Sequence, residues 1–180
     1  MNIRIAVFDA LCACLDLDRT SPEAAALIRE ACAEPENTPR LPRNRNVVYW
    51  TLQQDADARV RPPELDSLPA GAGRNTPVVY TTLNYRLQIV CYGPACEEYA
   101  LRIRHLLFLD GAGFPRKILR DAGVFPVPDP PQPLLLYEEE GSLRRARADL
   151  SVPLRVRAEF PAAARGAVAS APAVVISRSK

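Results

Sequence analysis

The chain is poor in the residues on which most enzyme chemistry depends. Histidine occurs once, at His105, tryptophan once, at Trp50, and lysine only at Lys117 and Lys180. A single histidine leaves any Cys or Ser nucleophile with one imidazole to serve as base, and no GxSxG sequence marks a strand-to-helix turn. Neither GxGxxG nor GxxxxGK[ST] is present, which removes the usual phosphate-cradling loops. Apolar residues nowhere run together for about eighteen positions, so no membrane span is predicted. The five cysteines, at 12, 14, 32, 91 and 96, form no CxxC pair. An odd count without a secretion signal favours reduced thiols in a cytoplasm. The opening MNIRIAVFDALCACLDLD contains Asp9 and lacks a basic region followed by a small-residue cleavage site, so it reads as a helix.

Two constellations remain to be weighed. Cys91, Cys96 and His105 stand as C-x4-C-x8-H, which is not a zinc spacing and lacks a fourth ligand nearby. A buried Cys pair beside a helix histidine suits the pattern better. Glu138, Glu139 and Glu140 imitate a carboxylate cluster, but three successive charges beside a glycine turn suit a solvated hairpin. No catalytic residue, cofactor or metal is therefore predicted, and the chain is expected not to be an enzyme.

The 180 residues suffice for one domain with a real core, and 48% hydrophobic and 24% charged residues are ordinary for a globular protein. The net charge of +2 conceals an asymmetry: residues 143–180 hold eight basic side chains against two acidic ones, and residues 1–142 hold fifteen against nineteen. Local basicity attracts polyanions, but so small a total does not mark a nucleic-acid binder.

Residues 3–16 place Ile5, Phe8, Leu11, Cys12 and Leu15 at helical spacing. A second helix is predicted after Ser21-Pro22-Glu23, with Ala25, Leu27, Ile28 and Cys32 as its packing face. Residues 34–46 read as a Pro- and Asn-rich loop, and 47–53 as a strand. A polar loop follows to about residue 75. Residues 76–92 alternate as a long strand with one buried face, and Gly93-Pro94 ends it. Helices are predicted at 95–109 and 115–122, the first with Glu97 and Glu98 in its opening turn and Tyr99, Ile103, Leu106 and Leu107 as its inner stripe, the second closed by Gly123. The Pro-rich 124–133 cannot be a central strand, while 134–139 and the following run make a hairpin around Gly141. AVVIS at 173–177 could add an edge strand. The order of elements predicts an α+β single domain, with a mostly antiparallel or mixed sheet whose long amphipathic strands are covered on one face by helices. The domain spans residues 1–160, and 161–180 form a low-complexity extension or arm.

The clearest signal is SLRRARADLSVPLRVRAEF, residues 142–160. With a period of two, Ala146, Ala148, Leu150, Val152, Leu154, Val156, Ala158 and Phe160 share one side. Arg145, Arg147, Asp149, Ser151, Pro153, Arg155, Arg157 and Glu159 share the other. Three contacts suit Arg145, Arg147, Arg155 and Arg157. One is solvent, with cross-strand ion pairs to Glu138 and Glu140. Another is a subunit interface, where the planar fork of Arg binds a carboxylate at two points. The third is DNA phosphate in passing. No aromatic residue interleaves with these arginines in the sequence, which argues against a stacking platform for single strands.

Several segments in order resemble the tail terminator proteins at the head-tail junction of tailed bacteriophages, the phage neck terminator family. They are PRNRNVVYWTLQ after an N-terminal helix, then NYRLQIVCYGPACEEYALRIRHLL, ILRDAGVFPV and LYEEEGSLRRARADLSVPLRVRAEF. The resemblance spans about residues 1–160 and rests on the order of the motifs. It implies a structural virion protein without cofactor, assembled in the host cytoplasm into a homo-oligomeric ring, a hexamer in the family. Such a ring caps the tail tube, stops its growth and joins the tail to the head connector. The implied partners are the tail tube protein and a connector or stopper protein, with transient contact to passing DNA and none to membrane. Loops such as 54–75 and 124–133 would reach neighbouring subunits, and subunit contact is favoured over DNA for the four arginines. A head completion or stopper protein of the same junction and a cytoplasmic nucleic-acid-binding module are the alternatives.

Overall fold

The computed structural model describes residues 3–31, 44–55, 64–66, 78–111, 113–140 and 143–161. Helix α1 (Ile3–Cys14) turns Val7, Ala10, Leu11 and Cys14 inward, the spacing that one helical face requires. Helix α2 (Pro22–Leu27) starts as its sequence demands, with the Ser21 hydroxyl accepting from the Ala24 amide at 3.1 Å and Pro22 in the first turn. It stops after six residues because Ile28 turns to extended backbone and begins β1 (Ile28–Glu30).

The long strands follow their period-two patterns: β2 (Val47–Gln54), β4 (Val78–Tyr92) and β7 (Leu143–Pro161). Strand β3 (Glu64–Asp66) lies on β4, and β5 (Val124–Pro126) and β6 (Leu134–Glu140) both lie on the far side of β7. Together they form one seven-stranded mixed sheet in the order β1-β2-β4-β7-β5, with only β1 and β2 parallel. Helices α3 (Cys96–Phe108) and α4 (Pro115–Asp121) join α1 over one face. Between the layers sit Leu11, Ile103, Leu107 and Leu119 from the helices and Leu87, Ile89, Leu150, Val152 and Leu154 from the strands.

Gly93 makes the tight passage from β4 into α3. Its φ is +105°, and a Cβ there would stand 2.8 Å from the Arg45 carbonyl oxygen. Only glycine meets both demands without strain. The same approach lets the Asn46 side-chain carbonyl accept from the Ala95 amide at 3.0 Å, which satisfies a donor at the start of α3.

Pro153 lies mid-strand between β4 and the β5/β6 side, a position where proline normally removes a ladder bond. Here its carbonyl accepts from the Val127 amide at 3.0 Å, so the polar groups of that residue face away from β4. The register places residue 153 between the stretch paired with β6, which ends at Asp149, and the stretch paired with β5, which begins at Leu154. The missing amide therefore falls in a gap, and the β4 ladder is intact.

Four expectations need correction. The second helix does not reach Cys32: it ends at Leu27, Ile28–Glu30 is a parallel strand on β2, and Ala24 rather than Ala25 packs inward. Ile28 and its neighbours gain more from pairing with Val48–Trp50 than from one further helical turn. The polar loop after β2 contains the short strand β3, paired with Val78–Tyr80. The loop predicted at 124–133 opens with β5, an edge strand where Pro126 costs no central ladder bond. In α3 the inward stripe is Cys96, Ala100, Ile103 and Leu107, with Tyr99 and Leu106 only partly covered. The predicted strand at 173–177, the turn at Gly141 and most of the loop 34–46 lie outside the described residues.

Candidate functional site: the open face of the sheet

The helices cover the side of β7 carrying Ala148, Leu150, Val152, Leu154 and Val156, all buried. The opposite side carries all four arginines, and the register fixes their neighbours. Arg147 lies across from Tyr92 and Leu136, Arg145 from Glu138, Arg155 from Asn84 and Phe125, and Arg157 from Thr82. They divide into two pairs at opposite ends of the strand.

Arg145 and Arg147 are half-buried around one tyrosine. The Arg145 guanidinium carbon sits 4.4 Å from the centre of the Tyr92 ring and that of Arg147 5.6 Å, both within cation–π range. Tyr49 meets the same ring edge-on at 6.1 Å. The aromatic contact absent from the sequence around these arginines is therefore supplied across the ladder. Three-dimensional neighbours in a sheet come from the register, which a single strand's sequence does not contain.

Arg147 donates to both carboxylate oxygens of Asp149, from Nε at 2.6 Å and Nη2 at 2.7 Å. Its approach to Glu138 is looser, at 3.9 Å. That two-point bond holds the Arg147 guanidinium still more firmly protonated. Burial lifts the Tyr92 phenol above its ordinary pKa, Arg147 opposes the rise, and the hydrogen bond to Glu138 adds to it. The expected ion pairing to the Glu run thus holds in part. Glu138 serves Tyr92 and Arg147, Glu139 pairs with Arg144 at 3.1 Å on the other side of the hairpin, and Glu140 lies across from Leu143.

Arg145 differs from Arg147. Its Nε and Nη2 are shielded and have no acceptor, and the Ser151 hydroxyl on the same face is likewise shielded and unpaired. Unpaired shielded donors cost free energy that a partner's acceptor would recover. At the far end Arg155 and Arg157 are exposed. The face thus joins a rigid, partly desolvated cluster to a solvated basic end.

The remaining candidates do not converge. Cys91 and Cys96 are core residues, whereas His105 is exposed on α3 beside Arg104. Burial pushes the thiols of Cys14 and Cys91 up to about 12, so they stay protonated and unreactive at neutral pH. Among the described residues no group of three or more His, Cys, Asp and Glu side chains gathers as a metal would require. No described helix is long and apolar enough to cross a membrane.

Sequence reasoning missed a second feature, a groove of about 510 Å³ at the β1 edge, lined by α1 and the end of the first parallel pair. Its walls are Ile5, Phe8, Ile28 and Trp50, and its rim is Arg4, Asp9, Arg19 and Glu30. Ile5 on the helix and an unusually placed single tryptophan were its only traces in the sequence.

No curated protein matches the chain. A family model described as phage neck terminator protein matches residues 5–167, which takes in almost all of α1 and every later element through β7. With that match over most of its length, the chain belongs to the phage neck terminator protein family.

Proposed function

We propose that this protein is a structural subunit of the phage neck that assembles into a ring, caps the finished tail tube, ends its polymerisation and joins the tail to the head connector. The family match over 5–167 carries this reading, since it covers the whole sheet and its helical layer. A ring subunit acts by shape and contact. The chain accordingly spends its sequence on two long strands, with a firm core on one side and an arginine-bearing surface on the other. We assign Arg145, Arg147, Arg155 and Arg157 to contact with neighbouring subunits or neck proteins. The shielded donors of Arg145 support this, because an incoming carboxylate satisfies them at two points.

The test is immunogold labelling of intact particles from the producing lysate. Label concentrated where head meets tail is expected. Soluble protein with unlabelled particles would overturn the reading, and DNA binding that falls steeply with salt would then favour contact with phosphates.

A further inference from the structure

The two ends of the sheet are unlike and both are open. At one end β6 is paired only with β7 among the described residues, leaving its outer edge free. It displays Leu134, Leu135, Leu136 and Tyr137 at 59%, 49%, 38% and 73% exposure, so apolar side chains emerge on both of its faces. Soluble proteins protect such an edge, because a long apolar strand with unpaired amides invites another strand. The hairpin also overshoots the sheet: pairing between β4 and β7 ends at Tyr92 and Arg147, while β6 and β7 continue to Glu140 and Leu143. Glu138 and Glu139 are exposed on this projecting arm.

At the opposite end β1 is paired only with β2 among the described residues. Beside it lies the groove, where Ile5 stands 50% exposed although it belongs to the helix that covers the core. Trp50 forms part of the floor and is 3% exposed, yet its indole Nε1–H has no acceptor. Asp9 accepts from Arg19 through Oδ2 at 2.8 Å, leaving Oδ1 shielded without a donor. Both unpaired atoms are out of reach of solvent in the single chain, so a small shift of the groove walls as a strand seats would bring them to the donor and acceptor that each backbone peptide carries. Arg4 and Arg19 stand at its rim with exposed side chains, paired within the chain to Glu30 and Asp9.

We infer that the β6 edge of one subunit seats in the groove at the β1 edge of a second copy, head to tail. Apolar Leu134–Tyr137 meets the apolar walls, a strand peptide completes Trp50 and Asp9, and the Glu run approaches Arg4 and Arg19. Because the two surfaces differ and lie at opposite edges of one sheet, each subunit passes the contact on. Repetition through a closing rotation gives a ring, and repetition without closure gives a filament. The inference rests on the ring reading above and names the surfaces that form it.

The test uses two full-length variants, Ile5→Cys and Tyr137→Cys, mixed and treated with a short bis-maleimide, with the unsubstituted chain as background. The expected product links the two variants to each other and forms poorly from either alone. Linkage of Tyr137→Cys chains to one another would overturn the inference in favour of a symmetric edge-to-edge dimer. Unlinked chains that still sediment as a large assembly would also overturn it, leaving the ring built on another surface and the neck reading intact. Unlinked chains that sediment as monomers would overturn it as well, with neck labelling then deciding the wider reading. Tyr137→Asp serves as a second probe. It should weaken self-association at least tenfold while leaving thermal unfolding unchanged, since that side chain is mostly solvated in the monomer; equal loss of both would point to a folding defect and overturn the assignment.

Discussion

Leu154 and Arg155 are neighbours in β7, yet they serve opposite faces of the sheet. Leu154 is buried beneath the helices and Arg155 is exposed on the opposite face. The same alternation runs along the strand, so one segment builds the protein's interior and presents its exterior. The covered face is satisfied within the chain except at the β1 end, where Trp50 Nε1 and Asp9 Oδ1 are shielded and unpaired. The open face carries shielded, unpaired groups at Arg145 and Ser151. Substitutions on the covered face should therefore act on stability, and those on the open face on association.

The largest effect is expected from Leu154→Ala. The side chain is 1% exposed and packs in the central cluster. Its truncation removes buried methyl groups and leaves a cavity, costing about 2–5 kcal/mol. Urea unfolding should show the midpoint falling with little change in slope. A loss below about 1 kcal/mol would mean that the helical layer collapses into the space, and the two faces would then be less distinct than the geometry states.

The next effect depends on pH and again belongs to the covered side. The thiols of Cys14 and Cys91 have folded pKa values near 12 against a reference of 9.0, with burial as the first cause of each. The native state thus keeps protons that the unfolded chain releases. Their contribution to stability is whole below pH 9 and is lost as pH rises from about 9 through about 12. Each thiol should take away about 1 kcal/mol over the first pH unit above 9, and the slope approaches about 1.4 kcal/mol per unit beyond it. Burial also lifts the Cys12 thiol to about 11 and raises that of Cys96, so Cys91→Ala should flatten the alkaline decline by about a third or less, read from urea midpoints between pH 8 and 10. An unchanged decline would show that the thiols are not what titrates.

How much of this could be read from the sequence follows from the range of each signal. The long strands and helices α1, α3 and α4 were legible because their periods are written in consecutive residues, and so was the separation of Leu154 from Arg155. Strand β1 was not, since Ile28–Glu30 continues a helical pattern and only its partner Val48–Trp50 makes it extended. The four arginines were found, but their surroundings were not. Tyr92 is more than fifty residues from Arg145 in sequence and is placed beneath it by the β4–β7 register. The groove was invisible for the same reason, because Ile5, Asp9, Ile28 and Trp50 come from three elements. The exposed apolar run of β6 reads in sequence as an ordinary strand, and only its position at a free edge makes it a surface.

The smallest effect on stability should come from Arg155→Ala, next to the residue with the largest. Arg155 is exposed and lies across from Asn84 and Phe125, and its guanidinium makes no hydrogen bond or ion pair among the described residues. Removing a solvated surface side chain changes stability by no more than about 0.5 kcal/mol. The strand itself should persist, since its ladder bonds and the burial of Leu154 and Val156 do not involve that guanidinium. If this face meets a neighbour, the same variant should still lower the yield of joined particles when it replaces the native chain during assembly. The two measurements must therefore separate: unfolding unchanged, joining reduced. Should both stay unchanged, Arg155 is solvated in the assembled neck, and the contact on the open face contracts to the cluster around Tyr92, where Arg145 has donors left to satisfy.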